Sequence, residues 1–343
     1  MKRNFLSLLA AFGAFTFNAG AWDYEGHHAV NELALASLPA DFGGFTLTPA
    51  LKDRIAFLAG EPDRWRNVSD LPLKHVNGPD HYIDLEDLKL CGLTPATLPP
   101  LRYDFVADIA LARAAHPERF PAINPAKDAD HTRELDGFLP WAITENYEKL
   151  KSDFAVLKAF KQYGGTPEEI ANAQADCFYV MGVLGHFVGD GSQPLHTSKY
   201  FNGWDRNDNP KGYTTRQTFH AWVDGGYFKK TGGIKVETLV GKINPAAHIP
   251  NAGDPEAFFR YVVAYLVEQD KFVEPLYEME KNGQLAGEPG KGMDGVPFLD
   301  GQLVKAGQML GNIWLTAWLE SSDEDTYLKR DLQHRNATNP QSN

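Results

Sequence analysis

Residues 177–224 read CFYVMGVLGHFVGDGSQPLHTSKYFNGWDRNDNPKGYTTRQTFHAWVD, and the rest of the chain is organised around this stretch. Its candidate metal ligands are His186, Asp190, His196, His220 and Asp224. The two members of each His/Asp pair are four residues apart. On a helix such a pair projects from one face, close enough to share a metal ion. Imidazole nitrogens and carboxylate oxygens are ligands that zinc takes, so the stretch predicts a metal site carried by two helices.

The sequence SQPL, residues 192–195, separates the two pairs. Pro194 has no amide hydrogen and clashes with the preceding turn, so it ends the first helix. His196 can then fold back towards His186 and Asp190. A lone His-x-x-x-Asp on a helix is usually a solvated or hydrogen-bonded pair, but two such pairs flanking a third histidine favour a metal site.

The first residues have the pattern of a secretory signal peptide. Lys2 and Arg3 are basic, residues 5–17 are apolar, and residues 19–21 form a small-residue cleavage pattern. The apolar run is too short to span a membrane, which disfavours an uncleaved anchor. We therefore expect residues 1–21 to be removed. The mature protein would begin at Trp22, lack an integral membrane segment, and be secreted or periplasmic.

Composition restricts the possible partners. The formal net charge is −12, which disfavours sequence-specific binding of duplex DNA, because that needs a basic face. A surplus of acid suits a site that neutralises several divalent cations. The two cysteines, Cys91 and Cys177, could form one disulfide in an exported protein or stay as two buried thiols, and the sequence leaves both alternatives open.

Apolar residues recur at helical spacing along most of the chain, and strand patterns are weak. The predicted helices cover residues 22–37, 48–59, 103–115, 139–160, 166–190, 218–228, a long segment from 254, and 298–319. Thr166-Pro167-Glu168-Glu169 is a helix start with a threonine cap, proline at the first position and glutamate at the third. Residues 116–133 are polar and irregular. We predict an all-α protein with a single mainly helical domain, residues 22–325, and a polar C-terminal tail, residues 326–343, that frays from Arg330 onward.

Further candidate ligands precede the central stretch. His27 lies five residues after Trp22. A histidine near a freed N-terminus can bind a metal together with the terminal amine, since a neutral amine is a good nitrogen ligand. Asp63, His81 and Asp84 are additional candidate ligands or polar site residues, although each alone would be read as structural.

Taken in order, nine residues of this chain resemble the zinc-dependent single-strand nucleases of fungi and plants, also called nuclease/3′-nucleotidases, which are relatives of the bacterial zinc phospholipases C. The nine are Trp22, His27, Asp63, His81, His186, Asp190, His196, His220 and Asp224. The resemblance spans residues 22 to about 224. Tyr82 stands where the fungal pattern has phenylalanine, the segment between His81 and His186 is longer, and cysteines are fewer, which suggests a bacterial member.

The resemblance implies three Zn²⁺ ions in a cleft of a mostly helical, phospholipase C/nuclease-like fold. One zinc would take Asp63, His81, His186 and Asp190. A second would take His196, His220 and Asp224. The third would take the amine and carbonyl of Trp22, together with His27 and a bridging oxygen of Asp190. That last assignment requires signal cleavage, because the amine of Trp22 is a ligand only when it is free.

The resemblance also implies a reaction. A zinc-bound hydroxide would attack the phosphodiester while the metals stabilise the leaving oxygen. At the catalytic centre, Arg66 beside Asp63 would stabilise transition-state charge. Tyr82 and Asp84 would stack on and hydrogen-bond a nucleobase, which suits a sequence-tolerant enzyme. The expected protein is a monomeric endonuclease that cleaves single-stranded DNA and RNA to 5′-phosphorylated products and has 3′-nucleotidase activity.

Two alternatives stand beside this reading. A zinc-dependent phospholipase C acting on phospholipid headgroups is disfavoured because phospholipases resemble one another in using glutamate where this chain has Asp224. The long segment after His81 could nevertheless reshape the cleft rim for other phosphodiesters. A non-catalytic zinc-binding protein of the cell envelope would leave Arg66 and Asp84 without a role.

Overall fold

The computed structural model describes residues 22–322 and 326–338. The predicted signal peptide, residues 1–21, lies outside the described residues. Across those that are described, the secondary structure is helical, and pairing between extended segments is limited to one isolated bridge, Glu288 with Lys291. The prediction of a single all-α domain is confirmed.

Helices follow one another along the chain, joined by turns and by longer irregular segments such as residues 116–138 and 197–218. The α-helices are α1 (Tyr24–Ser37), α2 (Pro49–Leu58), α3 (Glu61–Asn67), α4 (Leu71–Asn77), α5 (Arg102–Ala115), α6 (Leu139–Tyr163), α7 (Pro167–Ser192), α8 (Phe219–Ala221), α9 (Tyr227–Thr231), α10 (Val236–Leu239), α11 (Pro255–Asp270), α12 (Val273–Lys281), α13 (Gly295–Glu320) and α14 (Thr326–Thr338). A π-helix, Trp222–Gly226, joins α8 to α9. The 3₁₀ turns are Phe42–Gly44, Gly78–His81, Leu88–Cys91, Pro95–Thr97, Pro117–Arg119, Pro125–Lys127, Pro194–His196 and Val240–Lys242.

The start of α7 has the capping box that its sequence predicts. The Glu169 amide donates to Thr166 Oγ1 at 3.2 Å, and the Thr166 amide donates to Glu169 Oε2 at 2.8 Å. Each bond satisfies an amide that a helix N-terminus would leave without a partner. The helix ends at Ser192, just before Pro194, as predicted. Both ends of the helix that carries His186 and Asp190 are therefore set by local sequence.

Helix α7 lies at the centre of the fold, packed against α1, α2, α6 and α13. Its glycines allow this close approach. A Cβ built on Gly185 would lie 1.7 Å from Asn31 Oδ1, and one on Gly189 would lie 2.9 Å from His27 Nδ1. Since both neighbours belong to α1, these two positions let α1 lie directly on α7. His27 is thereby brought to the face of α7 that carries the predicted ligands.

The C-terminal residues differ from their prediction. We expected residues 326–343 to be a polar tail frayed from Arg330, whereas residues 326–338 form α14, which packs against α6. Leu332 is buried, and the Arg335 guanidinium pairs with both carboxylate oxygens of Glu169 at 2.8 and 3.0 Å. The polar composition of this helix gives little signal in the sequence, because its contacts include Leu332, the Arg335–Glu169 ion pair and hydrogen bonds to the Gly164 and Tyr163 carbonyls, which are tertiary.

The disulfide alternative is not realised. Cys177 is a buried free thiol, and Cys91 is a half-buried one. The remaining possibility, two separate thiols, is what the structure shows. None of the described helices combines the length and the apolar character needed to cross a bilayer.

Candidate metal centre

The eight side chains that the sequence predicted as ligands converge in one buried region. They form three groups whose ligand atoms lie within 4.8 Å of one another: His27, His186 and Asp190; Asp63, His81 and His186; His196, His220 and Asp224. Five separate parts of the chain supply them: α1, α3, the 3₁₀ turn ending at His81, the segment from α7 to His196, and the α8/π-helix segment. These groups can hold metal ions.

Asp190 links the first two groups. Its Oδ1 lies 3.4 Å from His27 Nε2, and its Oδ2 lies 3.0 Å from His81 Nδ1 and 3.3 Å from His186 Nε2. The carboxylate is fully buried. Burial alone would raise its pKa, but the adjacent His186 and His196 hold the pKa of Asp190 well below its usual range. An ionised carboxylate with both oxygens facing imidazoles is suited to bridge two cations.

The group of Asp63, His81 and His186 has the spacing of a single coordination sphere. His81 Nδ1 and His186 Nε2 are 2.9 Å apart, and His186 Nε2 lies 3.9 Å from Asp63 Oδ1. Two ligands at the usual zinc–nitrogen distance in a tetrahedral arrangement stand about 3.3 Å apart. The Nδ1–H of His186 donates to the carbonyl of Ala59 at 2.7 Å, which turns the Nε2 lone pair towards the group.

The group of His196, His220 and Asp224 is built in a similar way. His220 Nε2 lies 2.9 Å from His196 Nε2 and 3.0 Å from Asp224 Oδ2. The Nδ1–H of His196 donates to the carbonyl of His81 at 2.5 Å, so its Nε2 faces His220. Gln193 donates from Nε2 to Asp224 Oδ1 at 2.7 Å, leaving the other carboxylate oxygen for the group. Hydrogen bonds of this kind commonly orient metal ligands.

The π-helix corrects our expectation of one regular helix over residues 218–228. His220 lies in α8, and Asp224 lies in the wider π turn, a feature found mostly at functional sites. A Cβ on Gly225 would lie 1.9 Å from Asp23 Oδ2, and the Asp23 amide donates to the Asp224 carbonyl at 3.2 Å. Asp23, near the start of the described chain, therefore packs directly against the π turn that carries Asp224.

Polar atoms that are buried without a hydrogen-bond partner concentrate at this centre. They include His27 Nδ1 and Nε2, His81 Nε2, Asp190 Oδ1, His220 Nδ1 and Asp224 Oδ2. His27 Nε2, Asp190 Oδ1 and Asp224 Oδ2 face the ligand groups, and such atoms cost free energy unless a partner such as a cation satisfies them. The donor set therefore fits bound metal.

Burial also sets the protonation state of the ligands. It lowers the pKa of His81 and of His220 to about 3. Both imidazoles are therefore neutral at pH 7, which is the state that binds a metal. For Asp63, burial acts against ionisation, but Arg66 together with His186, His81 and His27 outweighs it and the pKa falls to about 2. His81, His220 and Asp63 can therefore take a cation without first losing protons, whereas Asp190 raises the pKa of His186 despite burial, and burial raises that of Asp224.

Arg66 and Trp22 lie against the metal groups without belonging to them. Arg66 Nε donates to Asp63 Oδ1 at 2.8 Å, and its charge helps to lower the pKa of both His81 and His220. Trp22 is fully buried, and its indole N–H is shared between the Gly189 carbonyl and Ser192 Oγ, each at 3.0 Å. The structure thus holds Trp22 beside the C-terminal end of α7.

Tyr82 and Asp84 are positioned by the long segment that follows His81. Tyr82 is half-buried; Gly137 lies against its carbonyl and ring, and its hydroxyl donates a long bond of 3.4 Å to the Leu135 carbonyl. Asp84 lines a cavity of about 410 Å³ with residues of the 113–136 region. Burial and the nearby Glu86 raise the pKa of Asp84 well above its usual range. The segment that reaches Gly137 therefore packs against one part of the Tyr82 ring, and the stacking role of Tyr82 stays a prediction.

Three contributors escaped the sequence analysis: the Gln193 amide, the Ala59 carbonyl, and Phe201, whose ring lies 5.7 Å from that of His220 between centroids. The position of Gln193 between the predicted ligands His186 and His196 was the one available signal. Nothing in a sequence indicates that a side chain turns back onto a ligand 31 residues later.

Comparisons with protein-family models, with curated proteins and with solved structures found no match to this chain. The chemistry of the centre must therefore be inferred from the three His/Asp groups themselves.

Proposed function

We propose that this protein is an exported, zinc-dependent phosphodiesterase of the single-strand nuclease/3′-nucleotidase type. It cleaves single-stranded DNA and RNA to 5′-phosphorylated products and removes phosphate from 3′-nucleotides. The observation that carries the proposal is the convergence of three His/Asp groups, two of which are linked by the fully buried Asp190, whose carboxylate lies 3.4 Å from His27 Nε2 and 3.0 Å from His81 Nδ1. Ligand groups that share a carboxylate are typical of sites that bind several metal ions for phosphoryl chemistry.

The donor set favours zinc. Imidazole nitrogens outnumber carboxylates, and the atoms of each group have the spacing of four-coordinate zinc. We assign one ion to Asp63, His81, His186 and Asp190. A second is assigned to His196, His220 and Asp224. The third is assigned to His27, Asp190 and the main chain of a processed Trp22. When bound, zinc polarises phosphoryl oxygens and lowers the pKa of water.

The protein's own residues complete the site. Arg66 has a planar guanidinium beside Asp63, where it can pair with the oxygens of a phosphate and hold transition-state charge. Gln193 and the carbonyls of Ala59 and His81 orient the side chains of Asp224, His186 and His196 through hydrogen bonds. Because the chain as a whole is acidic, attraction of a phosphate must come from this centre.

The test is a side-by-side hydrolysis assay on purified protein that begins at Trp22 and is loaded with zinc. The substrates are single-stranded DNA, RNA, a 3′-mononucleotide and phosphatidylcholine micelles. We expect cleavage of the first three, abolished by a chelator and restored by added zinc. Bound zinc without turnover of any substrate would contradict the proposal and favour a zinc-binding envelope protein.

One observation favours the phospholipase alternative. Helix α4 lies between the elements that carry Asp63 and His81, and it exposes Leu71, Leu73 and Val76 to solvent. Exposed apolar side chains beside an active centre suit contact with a lipid aggregate. Cleavage of the micelles alone would establish this second function in place of the first.

A further inference from the structure

We propose that Phe201 is a stacking platform for a nucleobase at the mouth of the metal centre. This inference rests on the proposed function, since it concerns the organic part of a phosphate ester whose phosphate lies at the metals. It adds a substrate-binding side chain that lies outside the ligand set.

Phe201 lies directly beside a ligand. Its ring centroid is 5.7 Å from that of His220, and the two rings are inclined at 74°. His220 itself is buried, whereas 40% of Phe201 is exposed. The ring therefore borders the group of His196, His220 and Asp224 on the side that solvent reaches. A group esterified to a phosphate at these ligands lies within reach of the ring.

The loop that carries Phe201 is held rigidly. Tyr277 Oη accepts a hydrogen bond from the Gly203 amide at 3.0 Å and donates to the Tyr200 carbonyl. Asn202 Oδ1 accepts from the His220 amide at 3.2 Å, which ties the loop to the ligand segment itself. A ring fixed in this way loses little conformational entropy when a planar ligand stacks on it.

The other aromatic residues of the loop are engaged in packing. Tyr200 and Trp204 stack with centroids 4.1 Å apart and an interplanar angle of 5°, and Trp204 also contacts Tyr213 and Tyr277. Phe201 instead faces outward. It is more exposed than Tyr82, which is half-buried with Gly137 against its ring. Phe201 therefore adds an exposed aromatic ring beside the ligands.

Stacking on an aromatic ring is a way for an acidic protein to bind a nucleotide, because it does not depend on positive charge. The net charge of −12 gives a polyanion no general attraction, whereas an aromatic ring binds the π-face of any base without needing positive charge. A stacked base contributes enough affinity for its removal to weaken binding by about 10-fold, within the range measured for such contacts. The contact would also be indifferent to base identity.

The experiment combines substitutions of Phe201 with two ligands, of which one carries a base and the other does not. Binding of adenosine 5′-phosphate and of ribose 5-phosphate to zinc-loaded protein is measured by calorimetry for the wild type, Phe201→Ala and Phe201→Trp. We expect the wild type to prefer the ligand with the base by about 10-fold. Phe201→Ala should lose most of that preference while binding ribose 5-phosphate normally, and Phe201→Trp should keep it.

A matched control is Tyr103→Ala, which removes another exposed aromatic ring, 84% exposed, from α5. It should leave both affinities unchanged. Equal losses for the two ligands in Phe201→Ala, or an undiminished preference for the base, would overturn the stacking role while leaving phosphate binding intact. If the wild type bound neither phosphate, the proposed function would fail and the stacking role with it.

Discussion

Asp190 faces four imidazoles, so its substitution should disturb more than one metal position. We predict that Asp190→Asn lowers the bound zinc by at least one equivalent per chain and abolishes phosphodiesterase activity, because an amide offers one neutral oxygen where the carboxylate offers two charged ones. Metal content after dialysis, measured by mass spectrometry, tests this. Asp205→Asn, at an exposed position, is the control. Full zinc content in Asp190→Asn would contradict the bridging role.

Gln193 should act on metal affinity through Asp224. Replacing it with alanine removes the 2.7 Å bond to Oδ1 and leaves a buried carboxylate oxygen without its donor. We predict a 10- to 100-fold loss of affinity at the His196 group, the usual cost of losing a residue that orients a ligand. Competition with a chromogenic chelator measures it. Gln193→Glu should not rescue the affinity, since it places two carboxylates together; equal affinities for all three proteins would refute the role.

At this scale the sequence predicted the ligands because their chemistry is local. A histidine and an aspartate four apart on one helix must face the same way, whatever surrounds them. Gln193 and the Ala59 carbonyl contribute through tertiary contacts, which a linear pattern does not contain. Tyr82 was assigned a stacking role from its residue type and the resemblance; the structure adds that Gly137 packs against its half-buried ring, and the stacking role stays a prediction.

Among the elements, the contact between α1 and α7 determines where His27 lies. We predict that Gly189→Ala destabilises the protein by about 1–3 kcal/mol and reduces zinc binding, because the new methyl group would lie 2.9 Å from His27 Nδ1. Thermal unfolding and metal content are the measurements.

The matched control is Gly301→Ala in α13, where nothing lies within 4 Å of the added Cβ. Alanine is the better helix former, so this variant should gain about 0.5–1 kcal/mol. A Gly189→Ala protein as stable and as rich in zinc as the wild type would show that α1 can shift without affecting the centre.

Helix ends with explicit signals were predicted well. The capping box at Thr166 and the proline at 194 both act within a few residues, so local sequence suffices. Helices α3 and α4 are seven residues each, too short for an apolar period to be read. The π turn around Asp224 depends on the packing of Asp23 against Gly225, and α14 depends on Glu169 of a distant helix.

For the whole molecule, the buried histidines contribute an acid sensitivity to the metal-free protein. Burial lowers the pKa of His81 and of His220 from 6.5 to about 3, and it also lowers that of His27 and His196. Below about pH 6.5 the unfolded chain therefore binds protons at these four histidines that the folded chain does not, and their contribution to stability falls as the pH drops from 6.5 towards 3.

Two ligands oppose this trend. Asp190 raises the pKa of His186 despite burial, and burial raises that of Asp224. Asp80, Asp136, Asp153 and Asp270 oppose it as well, because burial raises the pKa of each to about 6 and the folded chain binds protons there that the unfolded chain does not. We predict that zinc raises the unfolding temperature of chelator-treated protein at pH 7.5, because it binds only the folded chain. An unfolding temperature that added zinc leaves unchanged would contradict the prediction.

The five segments that meet at the centre also bear on the order of folding. His27 and Asp224 are 197 residues apart, and no two described helices that are consecutive in sequence carry all the ligands of one group. Bringing such distant segments together carries a loop-closure cost that only the packed helices can offset. During synthesis, the ligands of α1 are made long before those of the π-helix. All three groups are therefore complete only once the chain has folded. A bound metal ion would thus mark a chain whose folding is finished.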